Sequence, residues 1–131
     1  MKKDIQVPDV NGVYLAVVQQ YNDIYKTHDW NAYIINDKDV ALEMVLIVSR
    51  GFDAEKETSI MRHKLETLPP KSYAKIELVQ DEVLALNNEF KVTFFEGNKM
   101  LDKTYLFRKN TINKNALQSI PLMDVKGVLK K

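Results

Sequence analysis

Cysteine is absent from this 131-residue chain. Its absence excludes disulfide frameworks, thiolate zinc sites, iron–sulfur clusters and cysteine nucleophiles. It also fits a reducing compartment, and a cytoplasmic location is the expectation. Glycine and proline are scarce, with four of each, so the chain is neither a linker nor a low-complexity segment. The glycines Gly12, Gly51, Gly97 and Gly127 stand alone. No glycine-rich phosphate loop, Walker motif or dinucleotide fingerprint is formed. Charge of one sign is lacking too: 19 basic and 18 acidic residues leave a net charge of +1. That balance supplies no general field for nucleic acid or anionic lipid. The longest nearly uninterrupted apolar run, Met44 to Val48, is far too short to span a membrane. Residues 1–9 carry Lys2 and Lys3 but no apolar stretch behind them, so no secretory leader is read there.

What is present is β-sheet patterning. The 45% hydrophobic content is enough for a core without cross-links, and the length fits one domain. Trp30–Ile35 and Leu42–Val48 flank the polar turn Asn36-Asp37-Lys38-Asp39 and read as a central β-hairpin. Val13–Tyr21 is β-branched and aromatic, which favours a strand; a helical reading competes because Val13, Val17, Tyr21 and Ile24 also recur near a 3.6-residue period. Further strands are expected at Leu42–Arg50, Ser59–Leu68, Ser72–Val79, Glu89–Glu96 and Leu101–Arg108. Leu42–Arg50 is apolar on both faces, which marks a central strand covered on each side. Pro69-Pro70 must end its strand, since proline donates nothing to a ladder. Short helical turns are expected within Gln80–Asn88 and around Asn115–Gln118.

The expected fold is therefore all-β, an antiparallel β-sandwich of about seven strands with a partly irregular C-terminal tail. The expected organisation is an N-terminal tether at 1–12, the sandwich at 13–109 and a tail at 110–131 that packs on the sandwich or at an interface. Trp30 lies on an early strand. The Leu68-Pro69-Pro70-Lys71-Ser72 corner leads into an alternating strand, and Phe90–Phe94 with Tyr105–Phe107 looks like a closing hairpin. On these features the chain resembles immunoglobulin-like and fibronectin type III-like sandwiches over residues 13–108. The resemblance is architectural, lacks the cysteine pair of antibody domains, and implies binding or scaffolding more than catalysis.

Candidate chemistry is sparse. His28 and Asp29 form the one candidate base pair, the centre of a possible small hydrolase, although neighbours on a strand point to opposite faces. His63, between Arg62 and Lys64, reads as a core or rim histidine. Ser49 and Ser59 sit in no nucleophile elbow. Asn36-Asp37-Lys38-Asp39 has alternating oxygen ligands, but Leu42 and Val48 occupy the glycine and glutamate places of a calcium loop. No metal or cofactor site is assigned. If Phe90, Val92 and Phe94 face the core, Lys91, Thr93 and Phe95 face out. A neighbouring strand would add Lys103, Tyr105 and Phe107 to a face able to stack bases; this single-strand nucleic-acid reading is the weaker one. The preferred reading is a non-enzymatic protein interface, for a protein partner or for self-association. Its residues are Phe95, Tyr105 and Phe107 with the tail residues Ile120, Leu122 and Met123. Strand addition at a sheet edge is a second route.

Overall fold

Alternation along the chain sorts its side chains onto two sheets packed face to face. The computed structural model describes residues 10–131, so the expected tether lies outside the described residues up to residue 9. Among the described residues there are nine strands: β1 (Val13–Asn22), β2 (Thr27–Asn36), β3 (Leu42–Phe52), β4 (Met61–Leu68), β5 (Ser72–Val79), β6 (Asn87–Glu96), β7 (Lys99–Phe107), β8 (Gln118–Ser119) and β9 (Lys126–Lys130). One antiparallel sheet has the order β5-β2-β1-β9-β8 and the other β4-β3-β6-β7. The expected helical turns are 3-10 turns at Asp81–Val83 and Lys114–Ala116. No helix among the described residues is long and apolar enough to cross a membrane.

The expected hairpin around Asn36–Asp39 is not one. β2 belongs to the five-stranded sheet and β3 to the four-stranded sheet, so this connection crosses between layers. Asn36 explains the crossing. It is fully buried, and its Nδ2 reaches the carbonyls of Val40, Leu68 and Pro69 at 2.9, 3.1 and 2.9 Å, its two hydrogens shared among the three acceptors. One side chain thus ties the β2–β3 arch to the β4–β5 corner at the same end of the sandwich. The true hairpin joins β1 to β2, with Asn22 opposite Thr27. Asn22 Oδ1 accepts from the amides of Ile24 and Tyr25, and Lys26 adopts a φ of 56°, the local chemistry of a tight turn. Pairing with β2 on one side and with the C-terminal β9 on the other decides in favour of β1 as a strand.

The core lies between the inner faces. Val13, Leu15 and Val17 of β1 and Ala32 and Ile34 of β2 meet Val45 and Ile47 of β3 and Phe90, Val92 and Phe94 of β6. Apart from Ala32, each such burial is worth about 1.5–3 kcal/mol. Phe90 and Phe107 pack edge to face at 5.9 Å, the favoured aromatic geometry. The tail, expected to be partly irregular, adds β9 directly beside β1, with Val128 completing the inner face. Just before β9 the chain passes over the other side of the five-stranded sheet. There Ile120 and the half-buried Met123 join Ala16 and Val18 of β1, Ile35 of β2 and Leu129 of β9 in a second apolar cluster.

Candidate functional site

The two outer faces of the sandwich are treated differently. That of the five-stranded sheet is covered by the tail around β1 and Ile35 of β2, while Tyr73 and Leu78 of the edge strand β5 stay about half exposed on it. That of the four-stranded sheet has no layer over it among the described residues. Antiparallel pairing puts directly opposite residues on one face, so its composition follows from register. One row reads Thr67, Glu43, Phe95, Met100; the next Lys64, Leu46, Thr93, Asp102; the third Arg62, Val48, Lys91, Thr104. Leu46 is 40% exposed, Phe95 37% and Met100 62%. An extra residue in β3 at Met44, with φ 50°, also turns that side chain out. A β-bulge of this kind redirects side chains without ending the strand. The row nearer the open end is polar: Arg50 Nε donates to Glu89 at 3.0 Å and Nη1 to Glu57 at 2.8 Å. These hydrogen bonds, Glu89 first, raise the Arg50 pKa above its ordinary value.

Of the six expected interface residues, this face holds only Phe95. Tyr105 and Phe107 are core residues, because Tyr105 stands opposite Phe90 and Phe107 opposite Asn88 on the inward parity. The Tyr105 hydroxyl donates to the Val13 carbonyl, and burial pushes its phenol pKa well above the usual range. Lys103 follows the same parity, reaching the Val10 carbonyl at 3.3 Å. The stacked face Lys91–Phe95–Tyr105–Phe107 therefore does not form. Ile120 is buried and Met123 half-buried where the tail lies on the five-stranded sheet, and Leu122, between them in the chain, is exposed.

His28 and Asp29 are not brought together either. His28 packs edge to face on Tyr21 at 5.1 Å, its cross-strand partner. Asp29 accepts from Thr27 Oγ1 at 2.8 Å and from Asn22 Nδ2 at 3.1 Å, so its carboxylate serves the β1–β2 hairpin. In the Asn36–Asp39 turn, Asp37 and Asp39 face the ammonium of Lys71 at 3.1 and 3.9 Å.

The structure does assemble a polar cluster elsewhere. β4 and β5 are edge strands of opposite sheets, joined by the Pro69-Pro70 corner. Across this edge Glu77 Oε1 accepts from Ser49 Oγ at 2.7 Å and meets His63 Nε2 at 2.7 Å. The carboxylate only accepts, so His63 holds its proton on Nε2 here. A register shift opposite Ala32 and Tyr33 lets Glu77 of β5 turn inward. The order is serine–carboxylate–histidine. A hydrolytic triad needs the imidazole between the other two; here Ser49 donates to Glu77 and not to His63. The cluster stitches the sheets at their open edge. Alternation in β4 placed His63 on the Met61–Leu65 side, but nothing in the sequence related it to Ser49 or Glu77.

No protein-family model matches the chain, and no curated protein matches it in sequence.

Proposed function

We propose that this chain is a non-enzymatic binding module, immunoglobulin-like or fibronectin type III-like in design, that self-associates through the outer face of its four-stranded sheet. The single observation that carries this is the asymmetry of covering. The tail buries Ile120 and Met123 on one outer face and leaves Leu46, Met44, Phe95 and Met100 in water on the other. A contiguous apolar patch rimmed by charge is the usual mark of an interface, and methionines suit an adaptable one. The division of the first seven strands into β5-β2-β1 and β4-β3-β6-β7 supports the architectural part of the reading; β8 and β9 are additions to it.

A second copy is the partner that the charge pattern fits. A two-fold axis running along the strands places β4 of one copy over β7 of the other, with rows in register. Lys64 at one end of its row then faces Asp102 of the second copy, twice by symmetry. Leu46 and Val48 fall at the centre, where anchors carry most of the energy. Strand addition is less favoured at β4, where Arg62, Lys64 and Glu66 guard the edge.

Analytical ultracentrifugation across micromolar to millimolar protein tests the reading. A dimer is expected, abolished by Leu46→Glu with an unchanged circular dichroism spectrum. Lys64→Asp weakens it, and adding Asp102→Lys restores it. A wild-type chain that stays monomeric throughout overturns self-association.

A further inference from the structure

The Ser49–Glu77–His63 edge also borders a cleft, and this cleft is independent of the sheet face discussed above. It lies at the ends of β4 and β5 remote from the Pro69-Pro70 corner. Its volume is about 460 Å³, within the range of small-molecule sites. Phe90, Val83 and Met61 give it an apolar lining, while Ser49, Glu77 and Asn88 add polar groups.

The charge of the lining is one-sided, while Gln80, Ser59 and Thr58 add neutral groups that can donate or accept. Glu77 uses Oε1 for both of its hydrogen bonds, and Oε2 has no donor among the described residues. Asn88 is 7% exposed, and its Nδ2 donates to the carbonyls of Val83 and Leu86 at 3.0 and 3.1 Å. That fixes the orientation of the amide and leaves Oδ1, beside Gly51, without a protein donor among the described residues. Ser49 spends its proton on Glu77 and keeps oxygen lone pairs free. Glu82 adds a second carboxylate to the lining. The one Arg or Lys side chain of the lining, Arg50, is turned to the outer face and held by Glu89 and Glu57. The cleft thus presents two carboxylates, further acceptors and an apolar floor, with no free Lys or Arg among the described residues of its lining.

We propose that this cleft is a binding site for a small organic cation, a primary amine carried on an apolar body. The ammonium donates to Glu77 and Asn88, and the body lies against Phe90, Val83 and Met61. A carboxylate acceptor makes the strongest hydrogen bond available to such a donor, and a partly desolvated position strengthens the charge attraction. A carboxylic acid of the same shape is repelled by the same groups, which gives the site its sign discrimination.

Phenethylamine and 3-phenylpropionate, matched in ring and differing in charge, are the probes. Each is titrated to roughly 10 mM, a range that captures weak ligands, while backbone amide shifts are followed by heteronuclear NMR. Saturable shifts with the amine at Ser49, Glu77 and Asn88, and none with the acid, are expected. Glu77→Gln should weaken the amine at least about tenfold, the loss of one charged hydrogen bond. Because Glu77→Gln disturbs the inter-sheet contact, Glu82→Lys serves as a second variant. Residue 82 is exposed on a 3-10 turn, so the fold is safe and amine binding should fall with the reversed charge. Equal binding of amine and acid, shifts confined to other regions, no saturable shift, or full affinity in both variants overturns the proposal.

Discussion

Replacing Gly127 by alanine probes the contact that ties the C-terminal segment into the sandwich. Gly127 of β9 stands opposite Val18 of β1. A methyl group there would meet Val18 Cγ1 at 2.6 Å, the Val17 carbonyl oxygen at 2.8 Å and Val18 Cα at 3.2 Å. Val18 can rotate its side chain, but the carbonyl oxygen and Cα are backbone and sit in a ladder that β2 holds from the other side. Ordinary carbon contacts begin near 3.5 Å, so β9 must retreat by roughly half an ångström or more. Its hydrogen bonds to β1 lengthen, and Val128, Leu129 and Ile120 lose part of their burial. Overpacking of this kind costs about 1–3 kcal/mol. At this chain length each kcal/mol lowers Tm by about 3–5 °C, so calorimetry should show a fall of about 3–15 °C. Amide exchange should locate the damage: β9 loses protection first, β3 and β6 last. A Tm within about 1 °C of wild type with β9 protection unchanged would refute the reasoning, because the methyl would then have found room that the backbone denies it.

Asn36→Ala removes the one side chain that serves the Val40, Leu68 and Pro69 carbonyls together. A loss of about 2–4 kcal/mol is expected from urea unfolding, since buried acceptors are left unpaired; Asn36→Asp should be worse, because a carboxylate there faces three carbonyl oxygens with no proton to offer. Tyr105 gives a pH dependence. Its folded pKa is raised above the ordinary 10.0, first by burial and then by Tyr14. The stability it contributes is fully present below pH 10.0 and is lost as pH rises toward the folded value. Stability should fall by up to about 1.4 kcal/mol per pH unit above that point. In Tyr105→Phe, which is less stable near neutrality by the hydrogen bond to Val13, this part of the alkaline slope should vanish. An alkaline slope that is identical in the two proteins would show that the phenol ionises equally in the folded and unfolded chains.

The legible part of the fold was the part written in local alternation. Val13, Leu15 and Val17 recur at a spacing that commits them to one face, and so do Phe90, Val92 and Phe94, whatever the strands pair with. The proline corner, the turn at Gly97-Asn98 and the absence of thiol, phosphate-loop and extended apolar chemistry were equally readable, because each depends on residue type alone. Pairing was not. Trp30–Ile35 and Leu42–Val48 look like a hairpin by proximity, and only the buried Asn36, reaching carbonyls more than thirty positions away, sends them to different layers. The parity of β7 was undetermined for the same reason: a shift of one residue would turn Tyr105 and Phe107 outward and Thr104 and Leu106 inward. That single register choice decides whether the open sheet face is aromatic or aliphatic. Ser49, His63 and Glu77 lie on three strands from both sheets. Their meeting at one carboxylate oxygen follows from how the edges of those sheets are stacked. By itself the sequence determined that this chain alternates, which side chains alternate together, and which chemistries it lacks. The tertiary structure decided which faces meet, which stays open to water, and where polar groups converge, because those depend on contacts between residues that the chain keeps far apart.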